Sequence, residues 1–414
     1  MMGLINQYKG LRKENYILFL GRFVTSLGSM IWPVLTLILS QKLAMMATDV
    51  SLVIIFSGII MLPATFIGGK LADKYNKKMI IVYCDIISIV FYIIAAFIPL
   101  SLFSIGLLMI AASCQNMESP AYTALIADIT ASKDREKAYS LSYLGANLGL
   151  VLSPTIAGLL FENHLWLSFL LSGAGIACST VLIFFFVKDI SLEEDAEIFE
   201  DQQGALSNKS LLSVLLENKV VLFYIIVLDL YWAAYSQYSY LLPLDIGRVH
   251  GEDGALIFGS VSSINCLVVV IFTPILTRLL FKLSYTVKNL LGICFSLLGY
   301  IVFVAFLGHV PIYYFAMTLF TFGEILTVIV GGAYMSERIP ASHRGRVNGF
   351  YTILQNVLYG MSIYISGRIV DLKGSYQAWY FIFALQIIAI AGSFILIFVD
   401  KKAYPKLYDF LLTQ

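Results

Sequence analysis

Residues 165–187 read LWLSFLLSGAGIACSTVLIFFFV, a run of 23 residues without a charged side chain. A helix rises about 1.5 Å per residue, so a run of this length can cross the ~30 Å hydrocarbon core of a bilayer. Over all 414 residues, 59% are hydrophobic and 13% are charged. Soluble domains contain roughly 25% charged residues, so the sequence predicts a protein embedded in a membrane.

Further apolar stretches of similar length occur along the whole chain. Lipid offers no hydrogen-bond partner to an open strand edge, and the stretches lack the alternating pattern of a barrel strand, so helices are expected throughout. The sequence therefore predicts an all-α membrane protein with twelve transmembrane helices. The predicted spans are 16–40, 49–70, 78–100, 103–128, 137–161, 165–187, 220–244, 254–281, 286–307, 311–336, 346–369 and 375–399.

Lysine and arginine residues are distributed unevenly between the connections. If the N-terminus is cytoplasmic, 22 of the 27 fall on the cytoplasmic side, four fall outside, and Arg22 lies within the first helix. Cytoplasmic loops of membrane proteins carry such an excess, and a missed helix would destroy it. The sequence thus predicts a multi-pass protein of the cytoplasmic (inner) membrane with both termini in the cytoplasm.

One long polar connection divides the chain. Residues 189–219 contain an acidic run and are expected to form a cytoplasmic linker between two six-helix halves, 1–188 and 220–414. The halves echo each other faintly, as expected of parallel repeats related by an axis along the membrane normal. The echo consists of Ala131-Ser132, Arg135 and Asn147 in the first half and Ala341-Ser342, Arg344 and Asn356 in the second.

The turn between the second and third predicted helices is short and basic. It reads GKLADKYNKK over residues 69–78. Gly69 is expected to permit a close helix approach, and Asp73 to accept hydrogen bonds from a neighbouring helix end. The paired cations Lys77 and Lys78 are expected to hold the loop at the cytoplasmic surface.

This turn resembles the G-x-L-A-D-R-x-G-R-K/R loop of the major facilitator superfamily. Asn76 stands where the family has its second glycine, and asparagine tolerates the left-handed turn that is expected there. The resemblance extends over helix count, linker and loop. It implies the major facilitator fold, in which helices 1, 4, 7 and 10 line a central cavity.

The fifth predicted helix carries a second signature, formed by Gly149, Pro154 and Gly158. It resembles the antiporter motif of the drug-efflux branch of the superfamily, in which small residues allow close helix contact and the proline bends the helix. The fourth helix departs from that branch because it lacks the expected arginine before Gln115. Arg22 is the candidate to supply the cation instead.

Ionisable residues inside a bilayer are costly and mark functional sites. The predicted helices contain one such cation and four such acids. Burial without a cation favours the protonated form of a carboxyl group, which is what proton coupling requires. The predicted proton-coupling residues are therefore Arg22, Asp85, Glu118, Asp229 and Glu324, with Glu324 as the principal one because it lies near the bilayer midplane.

Polar and aromatic residues share helix faces with these charges at helical spacing. Tyr231, Tyr235 and Tyr238 form a stripe roughly opposite Asp229, which suits either packing or a cage for an aromatic or cationic substrate. A purely structural pairing of Arg22 with the nearby acids also remains open. The predicted substrate-binding residues are Ser26, Ser29, Gln115, Tyr122, Tyr235, Ser236, Tyr240 and Thr321.

These observations favour a secondary active transporter that exports amphiphilic or cationic small molecules in exchange for protons. Uptake symport of a nutrient and flipping of a lipid-like molecule are the alternatives. Scattered histidines without metal-ligand spacing argue against an enzyme and a metal site, and no cofactor is expected. The net charge of +1 argues against nucleic acid. The expected partners are protons, a small-molecule substrate and the lipid bilayer, and the expected state is a monomer.

Overall fold

The computed structural model describes residues 8–131, 134–188, 218–339, 341–405 and 407–408, and it contains helices but no strand in this part of the chain. The all-α prediction is confirmed, and each predicted span coincides with helix. The helices are α1 Lys13–Leu27, α2 Ile31–Leu37, α3 Ala47–Lys74, α4 Lys77–Phe97, α5 Leu102–Asp128, α6 Arg135–Leu160, α7 Leu165–Phe186, α8 Lys219–Tyr235, α9 Leu241–His250, α10 Gly254–Leu279, α11 Tyr285–Ala305, α12 Val310–Arg338, α13 Ala341–Lys373 and α14 Ser375–Ala403.

Within the described residues, nine helical runs are long and apolar enough to cross a membrane. One of them extends from 219 to 279 and covers two predicted spans. The predicted spans that coincide with α5 and α13 are not among the nine, and α5 carries the polar run Gln115, Asn116 and Glu118. The structure thus shows a multi-helix membrane protein, while the count of twelve spans stays a prediction.

Two predicted spans are interrupted. The first breaks at Gly28, and α2 continues into a π-helical turn over Ile38–Lys42. The seventh breaks at a 3₁₀ turn over Ser236–Tyr238 before α9 begins. In both cases a proline, Pro33 or Pro243, occupies the first turn of the helix that follows, where its missing N–H is not needed. The predictions of continuous helices at 16–40 and 220–244 are therefore wrong.

The chain forms two compact units. Of the described residues, unit 1 comprises 8–45, 53–131, 134–188 and 250–266, and within it α1 packs against α6 and α7 while α4 packs against α5 and α7. Unit 2 comprises 46–52, 218–249, 267–339, 341–405 and 407–408, and within it α11 packs against α12 and α14 while α8 packs against α13 and α14. Residues 189–217, most of the predicted linker, lie outside the described residues.

The basic turn between α3 and α4 differs from expectation at two residues. Asn76 has φ −60°, not a left-handed conformation, and its side chain accepts a hydrogen bond from the Met79 N–H at 3.0 Å, so it caps α4. A Cβ atom on Gly69 would meet nothing within 4 Å, whereas one on Gly68 would lie 1.9 Å from the Met117 carbonyl oxygen. Gly68, not Gly69, permits the close approach of α3 to α5.

The internal echo of the sequence has a structural counterpart. Asn147 lies on α6 and donates to the Tyr143 carbonyl, and Asn356 lies on α13 and donates to the Thr352 carbonyl. Each bond closes one helical turn at 2.9 and 2.7 Å respectively. The two asparagines therefore make the same local hydrogen bond, although Asn147 is half-buried and Asn356 is exposed.

Candidate functional site

Unit 1 contains a cavity of about 230 Å³ among α1, α4, α5 and α7. Most of its lining is polar, with hydroxyl and amide groups from facing helices. Five of the lining residues were predicted from the sequence as site residues. The lining consists of Arg22, Thr25, Ser26, Gly28, Ser29, Tyr92, Gln115, Asn116, Glu118, Ser119, Ser172 and Ile176.

Arg22 faces this cavity from α1. Its guanidinium carbon lies 4.7 Å from the centre of the Tyr122 ring, and the Tyr122 hydroxyl donates to the Leu18 carbonyl at 2.7 Å. Within the described residues, Arg22 makes no ion pair within 4.0 Å and no hydrogen bond. The predicted substrate residue Tyr122 thus lies beneath Arg22, and the arginine keeps its N–H donors available to the cavity.

Two carboxyl groups lie next to each other at the cavity, and one of them, Glu118, lines it. Asp85 of α4 and Glu118 of α5 are 3% and 5% exposed and interact directly through their side chains. The Thr180 hydroxyl donates to Asp85 Oδ2 at 2.6 Å, while Glu118 Oε2 is buried without a hydrogen-bond partner in the described part of the chain. Arg22 is close enough to act on both acids electrostatically without forming an ion pair.

In unit 2, Glu324 is the central residue of α12, 14 residues from each end. Glu324 thus lies at the middle of its helix, as expected, while its place at the bilayer midplane stays a prediction. Glu324 is half-buried, and the Tyr235 side chain of α8 lies beside its carboxyl group. Tyr231 lies near the same carboxyl group. Two of the stripe tyrosines are thus placed beside this acid.

Asp229 of α8 is 0% exposed. Neither of its carboxyl oxygens has a hydrogen-bond partner among the described residues, and Tyr351 of α13 is a near neighbour. An ionised carboxylate in such surroundings costs several kcal/mol or more, so a proton or a cation is needed to offset the charge.

The aromatic stripe of α8 packs on α12 in the described structure. Tyr235 and Tyr238 both stack on Phe320, with ring centres 5.2 and 5.6 Å apart. Trp232 meets Tyr235 edge to face at 4.9 Å. Packing therefore accounts for these rings, although Tyr235 also lies beside Glu324 and can serve both purposes.

The predicted substrate residues separate into two sets. Ser26, Ser29 and Gln115 line the cavity of unit 1. Three others are fully buried and use their hydroxyl groups in local packing, because Ser236 donates to Ala233, Tyr240 to Ala47 and Thr321 to Met317. The helix break at Ser236 also separates Ser236 and Tyr240 from the helical face of Asp229.

The signature of the fifth predicted helix marks close contacts. A Cβ atom on Gly149 would lie 2.5 Å from the Phe23 carbonyl oxygen, and one on Gly158 would lie 2.6 Å from that of Ala255. The Pro154 carbonyl oxygen would lie 2.1 Å from a Cβ atom on Gly259 of α10. Small residues at these positions are therefore required by the packing of α6.

The two neighbouring lysines of the basic turn make polar contacts with other helices. Lys77 pairs with Asp128 at 2.7 Å, and Lys78 donates to the Val187 carbonyl at 2.8 Å. The two lysines thus tie the start of α4 to the ends of α5 and α7. Asp73 is exposed and makes no hydrogen bond in the part of the chain that the structure describes, so the prediction that it accepts from a neighbouring helix end is wrong.

Sequence reasoning missed three polar clusters in unit 2. Asp245 of α9 pairs with Arg248 at 2.8 Å and accepts hydrogen bonds from Ser375 and, at 2.7 Å, from the Trp379 indole. Asp400 of α14 forms a bidentate ion pair with Arg338 of α12, at 2.9 and 2.8 Å, and accepts hydrogen bonds from Tyr334 and Tyr408. Asp371 of α13 accepts hydrogen bonds from the backbone N–H groups of Ala47 and Thr48, the first two residues of α3, at 3.0 and 2.8 Å. Because most of these partners lie far apart in the sequence, no local sequence pattern predicts their contacts.

Comparison with known proteins agrees with this architecture. The sequence profile of the Major Facilitator Superfamily matches residues 18–362. The chain belongs to the Major Facilitator Superfamily. Family and fold are those of transporters, not enzymes, and the prediction of family from the 69–78 turn is confirmed.

Several bacterial relatives are similar to this chain over much of its length. A Na(+), Li(+), K(+)/H(+) antiporter of Planococcus maritimus is 23% identical over 320 residues, which cover 71% of this chain and 75% of the relative. The MFS-type transporter YqjV of Bacillus subtilis (strain 168) is 25% identical and covers 92% of this chain and 91% of its own. The quinolone resistance protein NorA of Staphylococcus aureus is 29% identical over 40% of this chain and 42% of its own.

Solved transporter structures share the fold. A peptide transporter POT in complex with sulfate superposes with a TM-score of 0.74 at 17% identity, over 95% of both chains. The nucleoside transporter NupG superposes with a TM-score of 0.71 at 15% identity, over 93% of this chain and 99% of the other. At these identities the likeness concerns the fold alone.

Proposed function

We propose that this protein is a secondary active transporter that exports amphiphilic or cationic small molecules in exchange for protons by alternating access. The observation that carries the proposal is Asp229, a completely buried acid whose two oxygens lack partners among the described residues. A group in that state must bind a proton or meet a cation, and exchange of one for the other is the chemistry of antiport.

Glu324 supplies the second part of the proposal. Its position at the centre of α12, with the Tyr235 side chain beside it, places an acid beside aromatic rings. Aromatic faces attract organic cations, and a carboxylate adds charge neutralisation. Glu324 is therefore proposed as the principal proton-coupling residue, at which proton and cationic substrate compete.

The remaining details of the proposal come from the sequence. The chain has twelve spans in two six-helix halves, lies in the cytoplasmic (inner) membrane with both termini in the cytoplasm, and acts as a monomer. The excess of lysine and arginine in alternate loops supports this orientation. The similarity over part of the chain to NorA, whose name describes quinolone resistance, supports drug-like molecules as substrates.

Exchange of a monovalent metal cation for a proton is a second candidate. The specific observation in its favour is the direct contact of Asp85 with Glu118, because two buried carboxyl groups in contact hold a proton between them that a cation could replace. The antiporter of Planococcus maritimus is a relative whose name describes such exchange. Nearby Arg22 weakens this candidate because its charge repels a cation.

Transport by purified protein in liposomes tests the proposal. With an acidic lumen, permanent cations such as rhodamine 123, ethidium or tetraphenylphosphonium should accumulate as lumenal protons leave, and collapse of the gradient should release them. A permanent cation cannot accumulate by pH partitioning, so protein-free liposomes provide the baseline. A panel that never exceeds this baseline contradicts the proposal. Lumenal alkalinisation by external Na⁺ or K⁺ alone would favour the second candidate.

The same vesicles separate efflux from the sequence-based alternatives. Nutrient symport would move substrate down the proton gradient, in the direction of the protons, and lipid flipping would change the leaflet of a labelled lipid. Either result without cation accumulation would replace the proposal.

A further inference from the structure

The cavity of unit 1 differs in chemistry from the aromatic surroundings of Glu324. Its volume of about 230 Å³ is smaller than the ~300–1,000 Å³ of pockets that enclose a whole drug-sized ligand. Its lining combines serine and threonine hydroxyls with the side-chain amides of Gln115 and Asn116. Such a cavity has room for one polar group of a larger molecule.

The positive charge of Arg22 indicates that this polar group is an anion. The guanidinium rests on the Tyr122 ring, which is held in place by the hydroxyl bond to Leu18, and makes no hydrogen bond with the described residues. A planar guanidinium offers paired N–H donors that match the two oxygens of a carboxylate. An arginine inside a bilayer is costly, so an oxyanion that meets it there gains both charge neutralisation and hydrogen bonds.

Glu118 provides an independent second contact. It is 5% exposed and lines the same cavity, and its Oε2 has no hydrogen-bond partner among the described residues. Glu118 and Asp85 are neighbouring buried carboxyl groups, and Glu118 in its protonated form can donate to a ligand oxygen. Arg22 and Glu118 together form a site for one oxyanion.

We infer that the cavity of unit 1 binds the carboxylate group of transported molecules, so that the preferred substrates are zwitterionic amphiphiles and not simple cations. This inference rests on the proposed function only in taking the bound molecule to be the transported one. The hydroxyls of Ser26 and Ser29 complete the polar surroundings of the carboxylate.

A matched pair of dyes tests the inference. Rhodamine 110 carries a free carboxyl group, and rhodamine 123 is its methyl ester, so the two share a cationic ring system and differ in the anion. Binding to the full-length protein in nanodiscs is measured by fluorescence polarisation, with empty nanodiscs subtracted. The acid is expected to bind at least about tenfold more tightly than the ester, which corresponds to one charge-assisted contact.

Arg22→Gln should weaken binding of the acid by about 10- to 100-fold and leave the ester unchanged. Arg22→Lys should retain part of the preference, because it keeps the charge but loses the paired donors. Arg278→Gln is the matched control, since Arg278 is an exposed arginine at the end of α10. Equal affinities of acid and ester for the wild type, or an unchanged preference in Arg22→Gln, would overturn the inference.

Protection of a thiol locates the bound dye even if Arg22→Gln does not fold. In Ser29→Cys, rhodamine 110 should slow alkylation at position 29 by about tenfold while rhodamine 123 does not, as followed by peptide mass spectrometry. The exposed native Cys178 and Cys294 serve as internal references. Equal protection by both dyes contradicts the inference. Absence of proton-driven accumulation of every cation in the panel would instead refute the proposed function and leave the acid preference standing.

Discussion

The intramembrane acids of the two units are held in different ways. In unit 1, Asp85 and Glu118 touch each other, receive a hydrogen bond from Thr180 and lie in the field of Arg22. In unit 2, Asp229 has no hydrogen-bond partner among the described residues, and the buried Arg338 is bound to Asp400. Unit 1 therefore carries a cation that offsets its acids, while the charge of Asp229 is offset only by what binds there.

This difference assigns separate tasks to the two units. A carboxyl pair with an adjacent arginine stays close to neutral when it holds one proton, and its arginine can receive an oxyanion. A lone buried acid changes the local charge by a whole unit each time a proton leaves. Proton coupling should therefore depend most on unit 2, and recognition of a polar substrate group on unit 1.

The largest effects are expected from substitutions at two aspartates of unit 2. Asp229 has no hydrogen-bond partner among the described residues, whereas Asp400 is ion-paired with Arg338. Asp229→Asn should reduce gradient-driven transport to the level of protein-free vesicles, because the titrating group is lost. It should change the free energy of unfolding by less than about 1 kcal/mol, since no hydrogen bond of a described residue is broken.

Asp400→Asn should instead have its main effect on stability. It removes the bidentate partner of the buried Arg338 and leaves only the 3.6 Å contact with Glu337, which costs about 3–5 kcal/mol, so thermal unfolding should occur at a much lower temperature. Thermal unfolding of both variants in one detergent makes the comparison. Equal destabilisation by the two substitutions would show that Asp229 has a structural partner after all.

Thr180 tests the carboxyl pair of unit 1. Thr180→Val keeps the shape of the side chain but removes the hydroxyl that donates to Asp85, which should cost about 1–3 kcal/mol of stability. Thr180→Ser keeps the donor and is the control. If Thr180→Val unfolds at the wild-type temperature, Asp85 does not depend on this bond and the pair is less constrained than described.

The smallest effect is expected at the exposed acid of the α3–α4 turn. Asp73→Asn should alter the free energy of unfolding by no more than about 0.5 kcal/mol, because Asp73 is exposed and bonds to no described residue. It should slow exchange between the access states, as measured by the rate of thiol labelling in the cavity at Ser29→Cys. An unchanged labelling rate would show that the turn only determines the orientation of the protein in the membrane.

The sequence predicted the helical class, the family and much of the unit 1 cavity. Charges are rare in membrane helices, so Arg22 and Glu118 were conspicuous, and helical spacing from them led to Ser26, Ser29 and Gln115. These inferences needed only local sequence because the residues share faces of single helices.

Features that depend on contact between helices were missed or assigned wrongly. The close approach of α3 to α5 lies at Gly68 because Met117 happens to face it, which no pattern within the turn reveals. The break at Ser236 and the pairing of Arg338 with Asp400 likewise depend on neighbours far along the chain. The motif at residues 69–78 was enough to predict the family, but not to predict which residue makes each contact between helices.

The central claim, that Glu324 is the principal proton-coupling residue, is tested most directly by Glu324→Gln. The substitution keeps the shape and hydrogen bonding of the side chain at the centre of α12 while removing titration. Glu337→Gln is the matched control, the same change on the same helix at a carboxylate near the helix end, which accepts from the Tyr285 hydroxyl and lies 3.6 Å from the Arg338 guanidinium.

Proton-driven accumulation of rhodamine 123 in proteoliposomes is the measurement, with dye binding recorded in parallel. The account predicts that Glu324→Gln loses gradient-driven accumulation but still binds neutral substrates with reduced dependence on pH, while Glu337→Gln transports like the wild type. Gradient-driven accumulation at the wild-type rate in Glu324→Gln would contradict the claim and transfer the coupling role to Asp229 or Glu118.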